Sequence, residues 1–280
     1  MTLIDGKKFS DNIKENLKNQ CEDLKKQGIH PGLAVVLVGD DPASATYVNM
    51  KDKACQRIGI HSKKIHLPAQ TNEEKLLKII DELNDDDKIH GILVQLPLPK
   101  HFDTNKILEA INPQKDVDGF HAINVGHLNQ DRDSFVACTP LGIMKLLEHY
   151  NINVTGLHAC VIGASNIVGK PMINLLLNKR ATVTCTHSKT KNLEFFTKNA
   201  DLIIVGVGKP NLLKANMVKQ GAIVVDVGIN RLESGSLVGD VDFEEVSKKC
   251  SLITPVPGGV GPMTIAMLLS NTIKSAKKAK

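Results

Sequence analysis

Apolar runs rich in valine and isoleucine alternate along this chain with longer amphipathic segments. The alternation is typical of βαβ units, in which each buried strand of a parallel sheet is followed by a helix. In the first half it predicts strand, helix, strand, helix and strand at residues 33–39, 44–58, 65–67, 72–83 and 89–94. In the second half it predicts strands at 159–162, 182–186, 202–205 and 223–227, with helices beginning near Ile167, Leu193 and Ala215. We therefore expect an α/β protein.

The chain has 280 residues, a length that suits two domains better than one. Residues 112–138 are polar and contain glycine, which is the composition of a connection. We predict an N-terminal α/β substrate domain at residues 1–120 and a Rossmann-like, doubly wound parallel-sheet domain at 138–262, with a cleft between them. The last predicted helix, within residues 263–280, could pack on either domain.

The composition excludes several classes of protein. Apolar residues make up 42% and charged residues 23%, as in ordinary globular proteins. The six cysteines include no C-x-x-C pair, which predicts reduced thiols and no metal site. Charged residues near the start and the lack of a long apolar stretch predict a cytoplasmic protein without a membrane partner. The net charge of +5 owes much to four lysines after residue 273, so we expect an anionic small molecule as partner and no nucleic acid.

A strand, a glycine turn and a helix start are predicted at residues 159–171. Gly163 would allow the tight turn, Ser165 and Asn166 could cap the helix, and the free N–H groups would hold a pyrophosphate. Ser165 stands where the dinucleotide motif G-x-G-x-x-G has its second glycine. An ordinary turn of a parallel sheet is therefore an open alternative.

The next strand is followed by Ser188 and Lys189, where an NAD-binding domain would carry an acidic residue. A hydroxyl and an ammonium can instead bind a 2′-phosphate, which favours NADP over NAD. A solvated loop is the alternative interpretation. Small residues also follow two later strands, at 205–208 and 225–229, where bulky side chains would block a nicotinamide.

In the first half, Tyr47 and Lys51 are four residues apart and share one helix face, where a ring could stack on a flat ligand and a lysine could act on it. A solvated lysine is the plainer interpretation. Gln95 ends a buried strand and is either a ligand contact or a backbone cap. The glycine-rich and proline-rich segment 255–264 either brings backbone close to a ligand or links two elements.

Five motifs occur in order: YVNMKDKAC at 47–55, QLPLP at 95–99, KDVDGF at 115–120, GASNIVGKP at 163–171 and PVPGGVGPMT at 255–264. Together they closely resemble the bifunctional methylenetetrahydrofolate dehydrogenase/cyclohydrolase family, and the resemblance extends over the whole chain. It implies oxidation of 5,10-methylenetetrahydrofolate with NADP, followed by hydrolysis of the methenyl product to 10-formyltetrahydrofolate. It also implies a homodimer that pairs through the nucleotide domains, and a place in one-carbon metabolism that serves purine, methionine and histidine synthesis.

The resemblance implies roles for individual residues as well. Lys51 matches the catalytic lysine, Gln95 the residue that holds it, Tyr47 a ring against the folate, and Asp118 the carboxylate that pairs with the pterin. The other implied folate-binding residues are Leu96, Pro97, Pro257, Gly258, Gly259, Gly261 and Pro262. The implied cofactor-binding residues are Gly163, Ala164, Ser165, Ser188, Lys189 and Ile229.

One departure concerns the cofactor, because many family members carry arginine where this chain has Ala164. Its absence leaves Ser188 and Lys189 as the expected readers of the 2′-phosphate. Two other interpretations are open. A short-chain dehydrogenase also uses Tyr-x-x-x-Lys, but there the glycine motif precedes that pair. A folate- or nucleotide-binding module without catalysis would keep the fold alone.

Overall fold

The strands form one parallel sheet of six, one parallel sheet of three and a short antiparallel pair, as the computed structural model shows for residues 1–279. Met1–Asp11 and Thr139–Thr264 make up one compact unit, called here the six-stranded unit. Asn12–Cys138 and the residues from Ile265 onward make up the other, called the three-stranded unit. The predicted fold class is confirmed.

Elements are numbered in chain order. The strands of the six-stranded unit are β1 Thr2–Leu3, β5 His158–Ile162, β6 Thr182–Thr186, β7 Leu202–Val205, β8 Ile223–Asp226, β9 Asn230–Arg231, β10 Leu237–Val238 and β11 Leu252–Ile253. Its helices are α6 Cys138–His149, α7 Gly169–Asn178, α8 Leu193–Thr197 and α9 Phe243–Ser247. The sheet order is β1-β11-β8-β7-β5-β6, so β6 is an edge strand. The central strands β5, β7 and β8 are mostly apolar and buried, as expected where helices cover both faces of a parallel sheet.

The N-terminus belongs to this sheet. Thr2 pairs with Leu252, and the Ile4 N–H donates to the Ile253 carbonyl at 2.8 Å. The sequence-based division assigns these first residues to the substrate domain, whereas β1 is an edge strand of the six-stranded sheet. Two residues are too few to show a period, so the sequence carries no signal for this pairing.

The three-stranded unit contains β2 Gly32–Val38, β3 His61–Leu67 and β4 Gly91–Val94, in the order β3-β2-β4. Its helices are α2 Pro42–Ile58, α3 Glu73–Asp85, α4 Thr104–Glu109 and α5 Ala122–Asn129, while α1 Gly6–Lys26 and α10 Val260–Lys278 have residues in both units. Strand β2 is buried along its whole length because it lies between two neighbours. Strand β3 is polar and partly exposed at the edge, and the apolar pattern therefore predicted only its last three residues.

Residues 112–138 are more than a connection, and that prediction was wrong. They contain α5, and Asp116 forms a parallel bridge with Ile92 of β4. Val117 is fully buried, and the Asn271 side chain of α10 donates to its carbonyl at 2.9 Å. Polar side chains fix this segment, and such contacts leave no hydrophobic period in the sequence.

Two helix predictions also differ from the structure. The helix expected near Ala215 is one 3₁₀ turn, Ala215–Met217, and the helix expected near Ile167 begins at Gly169. No helix within residues 1–279 combines the length and apolarity needed to cross a bilayer.

Candidate active site

Helix α2 carries a lysine on its buried face. The helix begins at Pro42, where the Asp41 carboxylate accepts the Ser44 N–H at 2.7 Å, and it ends before Gly59 in the left-handed conformation. Buried side chains recur at helical spacing along it, and Lys51 lies among them with only 8% of its surface exposed. Because lysine is almost never buried without a partner, this position indicates a functional site.

Gln95, the residue after β4, is the partner of this lysine. Lys51 Nζ donates to Gln95 Oε1 at 3.0 Å. The amide nitrogen of Gln95 donates in turn to the Leu96 carbonyl at 2.7 Å, so the amide oxygen is turned toward the lysine. The structure therefore brings together two of the residues that the sequence singled out, although 44 positions separate them.

Asp118 lies in the electrostatic field of the same lysine. Burial of its carboxyl raises the pKa of Asp118 to about 6, although attraction to Lys51 opposes the shift. Burial lowers the pKa of Lys51, against the attraction of Asp118. Burial thus moves each group toward its neutral form, against the attraction between their charges.

Asp116 builds the turn that contains Asp118, although no role was predicted for it. Its carboxylate accepts the backbone N–H groups of Gly119 at 3.0 Å and His121 at 2.9 Å, and the Asn124 side chain at 2.9 Å. Gly119 has φ +77°, and a Cβ there would lie 2.5 Å from a backbone nitrogen. The turn therefore has one conformation and needs glycine at that position.

The other predicted folate residues of this unit lie close in the chain to Lys51 and Gln95. Tyr47 is half-buried, one helical turn before Lys51, and burial raises its pKa. Leu96 and Pro97 follow Gln95 and are partly exposed. The unit thus combines a buried lysine, an oriented amide, a desolvated carboxylate and an aromatic ring.

The six-stranded unit carries the predicted nucleotide turn, and its glycines are required by close packing. Gly163 follows β5 with φ +119°, and a Cβ there would lie 2.6 Å from the Gly206 carbonyl oxygen. A Cβ on Gly169, the first residue of α7, would collide with the Gly163 carbonyl. Backbone packs against backbone here, which is how a phosphate-binding turn brings N–H groups close to a ligand.

Ser165 takes the place of the motif's second glycine and bonds within the turn. Its hydroxyl lies within hydrogen-bond distance of the backbone nitrogens of Val168, at 3.2 Å, and Gly169, at 3.4 Å. The N-cap of α7 is Val168, without a side-chain cap bond, so the predicted cap by Ser165 or Asn166 was wrong because the helix begins later than the turn. Ala164 is half-buried and offers a methyl group where a guanidinium would otherwise lie.

Ser188 and Lys189 lie beside that turn along the sheet edge. β5 and β6 pair from His158↔Thr182 to Ile162↔Thr186, so both strands end at the same edge. Ser188 and Lys189 are exposed, and Lys189 makes no ion pair with the described part of the chain. Their side chains are therefore available to an anionic ligand.

The glycine-rich segment lies at the same edge of this unit. A Cβ on Gly261 would lie 3.5 Å from the side chain of Ile229, which follows β8 and is 44% exposed. The Gly258 carbonyl accepts the Lys7 N–H at 2.8 Å, and a Cβ on Gly6 would collide with the Gly259 carbonyl. The start of α1 therefore holds the segment that contains Pro257, Gly258, Gly259, Gly261 and Pro262.

Two buried aspartates that the sequence did not single out organise the strand ends. Asp226 ends β8 and accepts three backbone N–H groups, each at 2.9 Å. One of them belongs to Asp240, whose own carboxylate accepts the N–H groups of Val207, Gly208 and Lys209 at 2.6, 3.0 and 2.8 Å. The loop after β7 therefore depends on Asp240. A carboxylate within a buried apolar strand was the available signal for Asp226.

Two models of one protein family match this chain. The catalytic-domain model described as tetrahydrofolate dehydrogenase/cyclohydrolase matches residues 4–118, and the NAD(P)-binding-domain model of the same family matches residues 137–280. The chain belongs to the tetrahydrofolate dehydrogenase/cyclohydrolase family. The resemblance based on the five motifs is confirmed, and membership decides against the short-chain dehydrogenase interpretation.

Individual relatives agree over the full length. A protein of Campylobacter hominis named bifunctional protein FolD is 64% identical over 277 residues, which is 99% of this chain and 98% of that protein. The crystal structure of the FolD dehydrogenase/cyclohydrolase of Campylobacter jejuni is 62% identical, with a TM-score of 0.98 and 99% coverage of both chains. A Trypanosoma brucei FolD structure, complexed with NADP and an inhibitor, is 36% identical with a TM-score of 0.96, covering 99% of this chain and 98% of that one.

Proposed function

We propose that this chain oxidises 5,10-methylenetetrahydrofolate with NADP and hydrolyses the methenyl product to 10-formyltetrahydrofolate, within one-carbon metabolism. The observation that carries the proposal is the buried Lys51, held by Gln95 and facing the charge of Asp118. Family membership over both units supports it. The predicted supply of purine, methionine and histidine synthesis follows from the same product.

In the hydrolytic step, Lys51 is the proton carrier. Water adds to the methenyl carbon, and the neutral amine of Lys51 accepts one of its protons. The proton passes to N5 of the folate as the bond from that nitrogen to the carbon breaks, and the second water proton leaves to solvent. The oriented oxygen of Gln95 keeps Nζ in place and disperses its charge while it is protonated.

Each predicted folate residue has a role in this proposal. Asp118 accepts hydrogen bonds from the donor edge of the pterin, and Tyr47 packs against its ring. Leu96 and Pro97 form an apolar wall after β4. The glycines of segment 257–262 leave backbone uncovered, and we expect that backbone to be available to the folate.

NADP, when bound, accepts the hydride from the methylene carbon. The residues present fit this cofactor, because glycines at 163 and 169 leave room that a Cβ would fill and no carboxylate follows β6. Gly163, Ala164 and Ser165 would face the pyrophosphate, Ser188 and Lys189 the 2′-phosphate, and Ile229 the nicotinamide end. The hydride step then needs no side-chain base, because it depends on holding the two reacting carbons close together.

A cytoplasmic homodimer completes the proposal. The edge strand β6 offers unpaired backbone groups, and Leu177 of α7 and Phe195 of α8 are 50% and 61% exposed in the same unit. Pairing of two copies through this unit would cover them. Light scattering should give a dimer mass, and Phe195→Glu should shift it toward the monomer; a monomeric native protein would exclude this part of the proposal.

The decisive assay of function uses the purified chain with methylenetetrahydrofolate and either NADP or NAD. Reduced cofactor should accumulate with NADP, and methenyltetrahydrofolate supplied alone should be hydrolysed. A protein that binds folate and nucleotide but yields neither product would be a binding module and would overturn the proposal.

A further inference from the structure

A pocket lies in the three-stranded unit, at the end of the sheet where the strands begin. Gln95 lies at the other end, after β4. The pocket has a volume of about 530 Å³ and is lined where β3 begins and just before β2 and β4 begin. β4 is four residues long, so about 13 Å of strand separates this end of the sheet from the Lys51 centre. The pocket therefore plays no part in the proposed reaction, although its volume suits a small organic ligand.

The floor of the pocket is a fixed histidine. His90 is 9% exposed, and its ring Nδ1 accepts the Gly32 N–H at 3.2 Å. The backbone N–H of His90 donates to the Gly32 carbonyl at 2.8 Å. A Cβ on Gly32 would collide with the Lys88 carbonyl, so the segment before β4 packs directly on β2. The ring is thus held through Nδ1, and the backbone beside it is held by the strand pairing.

The hydrogen bond to Nδ1 fixes the chemistry of this ring. In neutral His90 the proton must be on Nε2, and burial together with Lys115 lowers the pKa of His90. Nε2 makes no hydrogen bond with the described part of the chain, while the ring lines the pocket. The Nε2 donor of a mostly buried ring is thus left for a ligand acceptor.

The charged rim favours an anion. His30 precedes β2, His61 begins β3, and Lys88 precedes β4, and none of the three makes an ion pair with residues 1–279. Asp87 is the opposing charge, and α10 contributes Ala276 and Ala279, which carry none. Lys88 is therefore the cation of the rim, and the rings of His30 and His61 offer further hydrogen-bond donors to an anion.

The remaining wall is apolar, since Ile29, Ala276 and Ala279 line it. A metal ion does not fit these residues, because residues 1–279 contain no group of three histidines, cysteines or acidic residues able to hold one. We propose that this pocket binds a small organic anion. The carboxylate or phosphate of this anion accepts a hydrogen bond from His90 Nε2 and faces Lys88. The apolar part of the anion packs on the two alanines of α10.

Benzoate and phenyl phosphate are suitable probes, added to the whole protein while the histidine ring resonances are followed by NMR. The rings of His30, His61 and His90 should shift saturably, and whichever probe binds more tightly identifies the preferred head group. The exposed His66 of β3 should not respond.

Variants separate a built site from general attraction to histidine. His61→Gln with Lys88→Ala changes only exposed residues and should weaken benzoate about tenfold. His90→Asn keeps an acceptor for the Gly32 N–H but removes the Nε2 donor, and it should also lose binding. His66→Gln is the matched control on the same strand. Failure of both probes to saturate the three rings, equal shifts at His66, or full affinity in the folded double variant would overturn the proposal.

Discussion

Asp118 of the three-stranded unit and Asp226 of the six-stranded unit are both carboxyls whose pKa burial raises to about 6. Their surroundings differ. Asp226 accepts three backbone N–H groups, whereas Asp118 faces the Lys51 charge and the Cys138 thiol. A raised pKa alone therefore does not identify a reactive carboxylate. The carboxylate whose lone pairs are filled by backbone holds loops together, and the one facing a cation remains available to substrate.

The largest effect is expected from removing the cation of the reactive pair. Lys51→Met should lower the cyclohydrolase rate by about 10³-fold, because no other group is positioned to carry the proton. The dehydrogenase should retain part of its rate, since hydride transfer depends on geometry. Lys53→Met, at an exposed position of the same helix, is the control and should hydrolyse normally. Normal hydrolysis by Lys51→Met would show that Lys51 does not carry the proton. Asp118 would then no longer differ from Asp226 by facing a reactive lysine.

The structural carboxylates should affect stability. Asp240→Ala leaves three N–H groups of the loop after β7 without an acceptor. We therefore expect the free energy of unfolding to fall by about 3 kcal/mol or more. NADP affinity, measured by calorimetry below the unfolding transition, should fall as the loop loses its anchor. Glu233→Ala removes an exposed carboxylate of the same unit and should change neither quantity. A variant of unchanged stability would show that the loop is held by other contacts.

Asp118→Asn should instead leave stability nearly intact and weaken folate in both reactions. The loss of charge-assisted hydrogen bonds to the pterin amounts to about 1.5–3 kcal/mol. NADP binding to the same variant is the internal control and should not change. Selective loss of NADP would place Asp118 in the wrong subsite.

The pKa of Asp118 gives this contrast a pH dependence. Because the pKa is raised to about 6, the carboxylate is present above that pH and is progressively protonated below it. The Michaelis constant for folate should therefore rise as pH falls, by about tenfold at pH 5. This rise should be absent in Asp118→Asn, whose side chain cannot titrate. If the Michaelis constant of that variant still rises at low pH, another group is responsible for the pH dependence.

The smallest effect is expected at the exposed cofactor loop. Replacing Ser188 and Lys189 by alanine should raise the Michaelis constant for NADP about fivefold, a modest figure because solvent screens exposed contacts. Turnover with NAD should be unchanged. Lys191→Ala, an exposed lysine two residues on, is the control. Equal losses with both cofactors would show that this loop does not read the 2′-phosphate.

The sequence by itself determined the α/β class, the position of most strands and the family. Strands β2, β4, β5, β7 and β8 are short apolar runs because a parallel sheet is buried on both faces, and such runs are visible without a structure. The motifs around Lys51 and Gly163 are equally local. Their residue types and spacing were enough for the family resemblance.

Only the tertiary structure decided which polar groups meet. The Asp116 turn and the Asp226–Asp240 pair join residues that lie in polar segments without a period or are distant in the chain. Strand β1 joins the six-stranded sheet through two residues, too few for any pattern. Hydrophobic periodicity reports the burial of side chains on one element, whereas a hydrogen bond between elements depends on where both backbones lie.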